Sequence, residues 1–171
     1  MEGIKLNLGC GHKILNNFDN LDLFPFNNQV IKHDLNKKLP YQDNSVSYIF
    51  CEHTLSYLDN PADFLHDLHR VCKKNAKIDL IVNHFSLAFS YAELRKKRSG
   101  FSYFMLGNYN WNREFYKMFK VKKHLNFTRV NFQFLNYLLN PIINLSPMFY
   151  ERFLCYLLPC SEIHFKLRVL K

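Results

Sequence analysis

Three groups of residues in this 171-residue chain combine types and spacings that could do chemistry. Gly9-Cys10-Gly11 follows the apolar run Ile4-Lys5-Leu6-Asn7-Leu8, and paired glycines let a ligand approach the main chain closely. Asp22 and Asp34 each close a further apolar patch, and a carboxylate can accept from two hydroxyls at once. Cys51-Glu52-His53 closes another, with a histidine able to take a proton near physiological pH. An apolar strand running into a glycine-paired turn, with a carboxylate ending the next strand, is how a doubly wound sheet presents a ribose-bearing cofactor. Ile14 occupies the place of the third glycine in a pyrophosphate-cradling G-x-G-x-x-G, so a cofactor with ribose and no phosphates fits better.

Strands and crossovers must bring these groups to one edge. After the opening strand, residues 9–20 hold a turn and at most two helical turns, and Leu21-Asp22-Leu23 is a brief second strand. Val30 to His33 reads as a third strand ending at Asp34, and Val46 to Cys51 as a buried fourth. Leu39 to Ser45, with Pro40 and Asp43-Asn44, is turn chemistry. Asn60-Pro61-Ala62-Asp63 predicts a helix start, with Asn60 as N-cap and Pro61 at the first helical position. Phe64, Leu65, Leu68, Val71 and Cys72 recur at helical spacing, and Lys73-Lys74-Asn75 is expected to close that helix, Asn75 as a left-handed residue. Ile78 to Val82 is a fifth strand. Such alternation argues for a parallel sheet, with Gly9, Gly11, Asp22, Asp34 and Cys51-Glu52-His53 all at strand C-terminal ends, where open α/β sheets bind ligands.

The second half is less regular. Phe85 to Arg98 is expected to be helical, 100–113 to be an aromatic loop shaping a pocket, and Val121 to Phe127 to be a sixth strand. From Ile163 the alternation of Ile163, Phe165, Leu167 and Val169 with His164, Lys166 and Arg168 predicts a half-buried, antiparallel terminal strand. Residues 130–150 carry no charge, yet Asn131, Gln133, Asn136, Asn140 and Asn144 interrupt them, which disfavours a bilayer-spanning helix. Two short apolar helices, broken near Pro141 to Pro147 and ending at Pro159, fit better. They would cover a substrate entrance or lie on a membrane surface.

Composition bounds the class. The chain is 48% hydrophobic, which suits one globular domain, 1–171, divided into a cofactor-binding half, 1–84, and a substrate-shaping half, 85–171. Five scattered cysteines with no C-x-x-C pair argue against disulfides and a zinc site, so no metal and a reducing, cytoplasmic setting are expected. Met1-Glu2-Gly3 leads straight into the first strand, with no secretory signal in prospect. The formal charge of +9 could favour nucleic acid, an anionic membrane or an acidic substrate, but the clusters Arg95 to Arg98 and Lys120 to Lys123 read first as solvated faces.

Leu6-Asn7-Leu8-Gly9-Cys10-Gly11 resembles the first motif of the class I S-adenosylmethionine-dependent methyltransferases. The resemblance extends over Leu6 to Asn83: Leu39 to Val46 is similar to the signature before strand four of the small type 11 group, and Cys51-Glu52-His53-Thr54-Leu55 looks like that group's fourth motif. Ser56-Tyr57 stands where the group commonly has a Glu-His pair, and the chain starts at strand one, which implies a more open site. The resemblance implies a Rossmann-like α/β methyltransferase sheet of seven strands, mostly parallel with an antiparallel C-terminal strand. It implies S-adenosylmethionine as cofactor, held by Asn7, Gly9, Cys10, Gly11, Asp22, Asp34, Leu35 and Glu52. Asp22 would take the ribose hydroxyls and Asp34-Leu35 would lie beside the adenine.

His53 is the candidate base, with His84 a weaker alternative and loop ordering the competing role for His53. The part from Pro141, including Tyr150-Glu151-Arg152-Phe153, resembles small methyltransferases linked with surface-sugar assembly, which implies a small-molecule or glycan-type acceptor methylated at oxygen or nitrogen. No Asn-Pro-Pro-Tyr motif occurs, which counts against base amines and makes nucleic acid an unlikely partner. A non-catalytic scaffold, docking a partner or a membrane surface through the apolar C-terminal half, is the alternative. Oligomeric state is left open.

Overall fold

A computed structural model describes residues 3–109 and 112–171. Met1 and Glu2 of the N-terminal reading, and Asn110 and Trp111 of the 100–113 loop, lie outside the described residues.

Seven strands form one sheet: β1 (Ile4–Leu8), β2 (Asp19–Asp22), β3 (Val30–Lys32), β4 (Val46–Glu52), β5 (Cys72–Asn83), β6 (Phe119–Asn126) and β7 (Glu162–Val169). Their order is β3-β2-β1-β4-β5-β7-β6. The first five pair in parallel, whereas β7 runs antiparallel to both of its neighbours. Leu6, Asn7 and Leu8 are consecutively buried, as befits a central strand covered on both faces. In β7, Ile163, Phe165, Leu167 and Val169 are buried and Lys166 and Arg168 exposed, so the strand keeps the period-two alternation of its sequence.

The helices are α1 (Pro61–Val71), α2 (Arg113–Met118), α3 (Leu135–Leu145) and α4 (Pro147–Phe149), the last followed by a π-turn over Tyr150–Leu154. None is long and apolar enough to cross a membrane. Asn60 caps α1 through its Oδ1, which accepts from the Ala62 amide at 3.0 Å, and Phe64, Leu65, Leu68 and Val71 bury against the sheet. The connections over 9–18, 23–29 and 33–45 hold no helix and run as turns. In the first of them, buried Asn20 acts as the hub: its Oδ1 accepts from the Leu15 amide and from Asn7 Nδ2, and its Nδ2 donates to the carbonyls of Leu15 and Phe18.

Three expectations need correction. Lys73-Lys74-Asn75 does not close α1, because the helix stops at Val71 and the chain enters β5 at once. Asn75 is left-handed, with φ of 64°, but inside β5, where the register jumps from Val46 opposite Cys72 to Tyr48 opposite Lys77. Phe85 to Arg98 holds only a 3-10 turn over Ala88–Tyr91. Long-range bonds pin that segment open: the Phe85 amide donates to the Phe101 carbonyl, and the amides of Lys97 and Arg98 donate to the Ser56 carbonyl.

Within the range Pro141 to Pro147 expected to break the apolar stretch, α3 runs through Pro141 and the break falls at Ser146, with Pro147 starting α4. Helix α3 is held from one side by Asn136, Asn140 and Asn144, spaced four apart. These bond the Thr128 amide and carbonyl, the Phe127 amide, and the Leu125 amide and carbonyl. That clamp offsets the hydrogen bond a mid-helix proline removes.

Of the basic clusters, Lys97 pairs with Asp59, Arg98 Nη1 donates to the Leu58 carbonyl at 2.9 Å, and Lys123 Nζ donates to the Tyr103 carbonyl at 3.0 Å. Burial draws the Lys123 ammonium below its usual range.

Candidate functional site

The C-terminal edge of the parallel strands carries the residues singled out above. Gly9 and Gly11 both have positive φ, 66° and 49°. For Gly9 the reason is contact: a Cβ would sit 2.0 Å from Thr54 Oγ1, whose hydroxyl lies within hydrogen-bonding reach of the Leu8 and Glu52 carbonyls. Gly11 differs, since a Cβ there would meet nothing within 4 Å. The second glycine therefore borders open space, which is the room a ligand on this turn needs.

Asp22 closes the same turn. Its Oδ2 accepts from the Gly11 amide at 2.8 Å and its Oδ1 from the Phe24 amide at 3.0 Å. An ionised carboxylate has about four acceptor sites, so each oxygen retains a lone pair for a hydroxyl donor. Asp34 Oδ1 caps its own turn, accepting from the Asn36 amide at 3.0 Å, while the neighbouring His33 amide donates to the Asp22 carbonyl at 2.9 Å. Leu35 is buried and lines a hollow of about 520 Å3 with Asp59, Asp63 and Phe64.

Asn7, Gly9, Cys10, His12, Lys13, Phe50, Glu52, His53 and Arg129 line a hollow of about 300 Å3 beside the glycine turn. Both protons of the Asn7 side-chain Nδ2 are spent, on the Lys13 carbonyl and Asn20 Oδ1. Burial first, then the Asp22 charge, pushes the Cys10 thiol above its ordinary range, which leaves little thiolate. Glu52 pairs with Lys13 at 2.7 Å and with Arg129 at 3.4 Å, which sets two cations and a carboxylate on one wall.

His53 takes an unusual backbone conformation, φ 54°, and its amide donates to the Ile81 carbonyl at 2.8 Å. Its Nε2 lies 2.9 Å from Glu162 Oε1, while Nδ1 is buried without a partner. Glu162 also accepts from His164 at 2.9 Å. Burial alone would raise the Glu162 carboxyl, but hydrogen bonds from His164 and His53 hold it well below the usual carboxylate range. An ionised carboxylate only accepts, so Nε2 carries a proton, and Nδ1 is the nitrogen that bears the lone pair in the neutral tautomer. The ligand atoms of Glu52, His53 and Glu162 lie within 4.8 Å of one another, with Lys13 and Arg129 compensating their charge.

His84 is placed differently. It is fully buried, with Nδ1 2.7 Å from Ser86 Oγ and Nε2 3.2 Å from Glu151 Oε1, so both ring nitrogens are engaged in packing the second half. Sequence reasoning missed Lys13, Arg129 and Glu162. Glu162 alone carried a signal: it is an acid at the first position of a strand whose other inward residues are apolar.

A family model described as a methyltransferase domain matches residues 12–80. None of the curated proteins matches the chain. Among solved structures, a methyltransferase candidate from Bacillus halodurans C-125 superposes with a TM-score of 0.59 at 18% identity, over 100% of this chain and 95% of that one. A SAM-dependent methyltransferase from Archaeoglobus fulgidus gives 0.64 at 14% identity, over 97% and 86%. Phosphoethanolamine N-methyltransferase 2 of Haemonchus contortus, in complex with S-adenosyl-L-methionine, gives 0.58 at 12% identity, over 99% of this chain and 49% of that longer one. At these identities the likeness is one of fold. Residues 12–80 thus match a methyltransferase domain in sequence, and the chain shares the fold of solved S-adenosylmethionine-dependent methyltransferases.

Proposed function

We propose that the protein binds S-adenosylmethionine at the glycine turn and transfers its methyl group to oxygen or nitrogen of a small-molecule or glycan-type acceptor. The observation that carries this reading is the convergence of Gly11's open main chain, the Asp22 carboxylate and the hollow lined by Lys13, Glu52, His53 and Arg129. Asp22 would take the ribose hydroxyls, with Asp34 at the neighbouring strand end. Glu52, Lys13 and Arg129 suit a zwitterionic amino-acid end, one supplying the anion and two the cations. The bound sulfonium supplies an electrophilic methyl group. Aligning an acceptor with it can contribute roughly 7 to 11 kcal/mol, so a base need only remove a proton.

His53 would receive that proton once acceptor binding uncovers its buried Nδ1, and Glu162 would steady the ring that carries it. The first half would then hold most of the cofactor and the second shape the acceptor, with Arg129 reaching back to the cofactor and β7 returning to deliver Glu162 to the shared edge. Titration calorimetry with S-adenosylmethionine is the test: micromolar-range binding is expected, lost in Asp22→Ala and weakened in Asp22→Asn. A wild-type chain giving no heat overturns the reading. A chain that binds the cofactor but transfers no methyl group to any fraction of a cell extract supports the alternative, a non-catalytic scaffold.

A further inference from the structure

Helix α3 is built inside out. Its polar stripe, Asn136, Asn140 and Asn144, faces the protein and satisfies the backbone of β6 and the turn after it. Only Ile143 among its apolar residues is buried. Tyr137, 89% exposed, Leu138, Ile142 and Leu145, 87% exposed, stand on the other side. A surface helix ordinarily does the reverse. The apolar exposure continues on both flanks, through Phe132 and Phe134 before the helix and Met148, Phe149, Phe153, Tyr156 and Leu157 after it. Exposed apolar residues in such number over one short segment mark a surface made to be covered.

Charge selects the cover. Residues 130–150 carry no charged side chain. The first acid beyond them, Glu151, turns inward to His84, Ser102 Oγ and the Tyr103 amide. Of the cations nearby, Arg152 on the flank stays out and is exposed, as are Lys120 and Lys122 on β6. The whole chain is +9. Aromatic and aliphatic side chains beside exposed cations, with the acid withdrawn, complement a negatively charged lipid surface.

The geometry points to an anionic bilayer surface as the partner of this face, with α3 lying in the interface and the sheet above it. Apolar side chains enter the headgroup boundary while Arg152 meets lipid phosphates. Water supplies no better partner for Tyr137, Leu138, Ile142 and Leu145, and the asparagine clamp keeps them outward whether or not a membrane is present.

The test is flotation of the full-length protein with phosphatidylcholine vesicles, with and without phosphatidylglycerol. The protein is expected to float with the anionic vesicles, less as salt rises, and to partition roughly tenfold or more weakly in Leu138→Ser/Ile142→Ser/Leu145→Ser. Circular dichroism of that variant checks that its fold is kept. Independently, a tryptophan placed by Tyr137→Trp is expected to shift its emission to the blue on adding anionic vesicles. Absence of flotation, equal flotation with neutral vesicles, or a dimer in sedimentation that the triple variant abolishes would each overturn the inference. Vesicle binding needs no S-adenosylmethionine, so its outcome is separate from that of the calorimetry.

Discussion

Glu162 in β7 and His53 after β4 lie 109 positions apart, yet their side chains meet at 2.9 Å, where Glu162 Oε1 accepts from His53 Nε2. The contact exists because β7 folds back between β5 and β6 and sets its first residue at the C-terminal edge of the parallel strands. It fixes which ring nitrogen of His53 keeps its lone pair, the arrangement a carboxylate-oriented base requires.

Glu162 also links stability to pH. Its carboxyl is held below its unfolded value of 4.5, so its stabilisation is fully present above that pH and is lost as pH falls through the lower folded value. Glu162→Gln is expected to cost about 1–3 kcal/mol at pH 7, and the gap to wild type should shrink on acidification below pH 4.5. Urea unfolding at a series of pH values measures both. A gap constant with pH would contradict the argument.

The two glycines should respond differently to alanine. Gly9→Ala drives a Cβ against Thr54 Oγ1 in a left-handed conformation and should destabilise by about 2–4 kcal/mol, partly relieved by Thr54→Ala. Gly11→Ala meets no neighbour and should cost only about 1 kcal/mol, from backbone conformation alone. Its methyl would occupy the space assigned to the cofactor, so calorimetry should show S-adenosylmethionine binding weakened out of proportion to stability.

Asn20 is the keystone of the helix-free crossover between β1 and β2. Asn20→Ala strands the Leu15 amide and one Asn7 Nδ2 proton and should cost about 2–4 kcal/mol. Hydrogen exchange should show residues 13–18 opening before the rest of the sheet.

All five cysteines are buried and free. Burial pushes the thiols of Cys51, Cys72 and Cys160 up to about 12 and those of Cys10 and Cys155 above their ordinary range. Thiolate is the reacting form, so the native chain should resist thiol reagents near pH 8 and react fully once unfolded. Fast labelling of any cysteine in the native state would count against this packing.

Local chemistry announced much of the fold. Asn60-Pro61 starts α1 as its capping chemistry requires, the apolar runs at Leu6, Ile49 and Ile78 became central parallel strands, and the alternation from Ile163 became β7. Contacts distant in sequence decided the rest. Phe85 to Arg98 has helical spacing but is held open by Ser56 and Phe101. The asparagines of α3 read as interruptions of an apolar stretch, although four-residue spacing makes them one clamp on β6. At the site, Asp22 and the glycine turn lie close in sequence and were legible, whereas Glu162 and Arg129 reach it only through the sheet order.

The placement of β7 has a consequence for biosynthesis. A ribosome releases β5 and β6 well before the strand that belongs between them, so a nascent chain exposes two unpaired edges until β7 emerges. Stalled translation products would therefore be prone to associate through those edges, and their clearance would depend on chaperones that shield open strands.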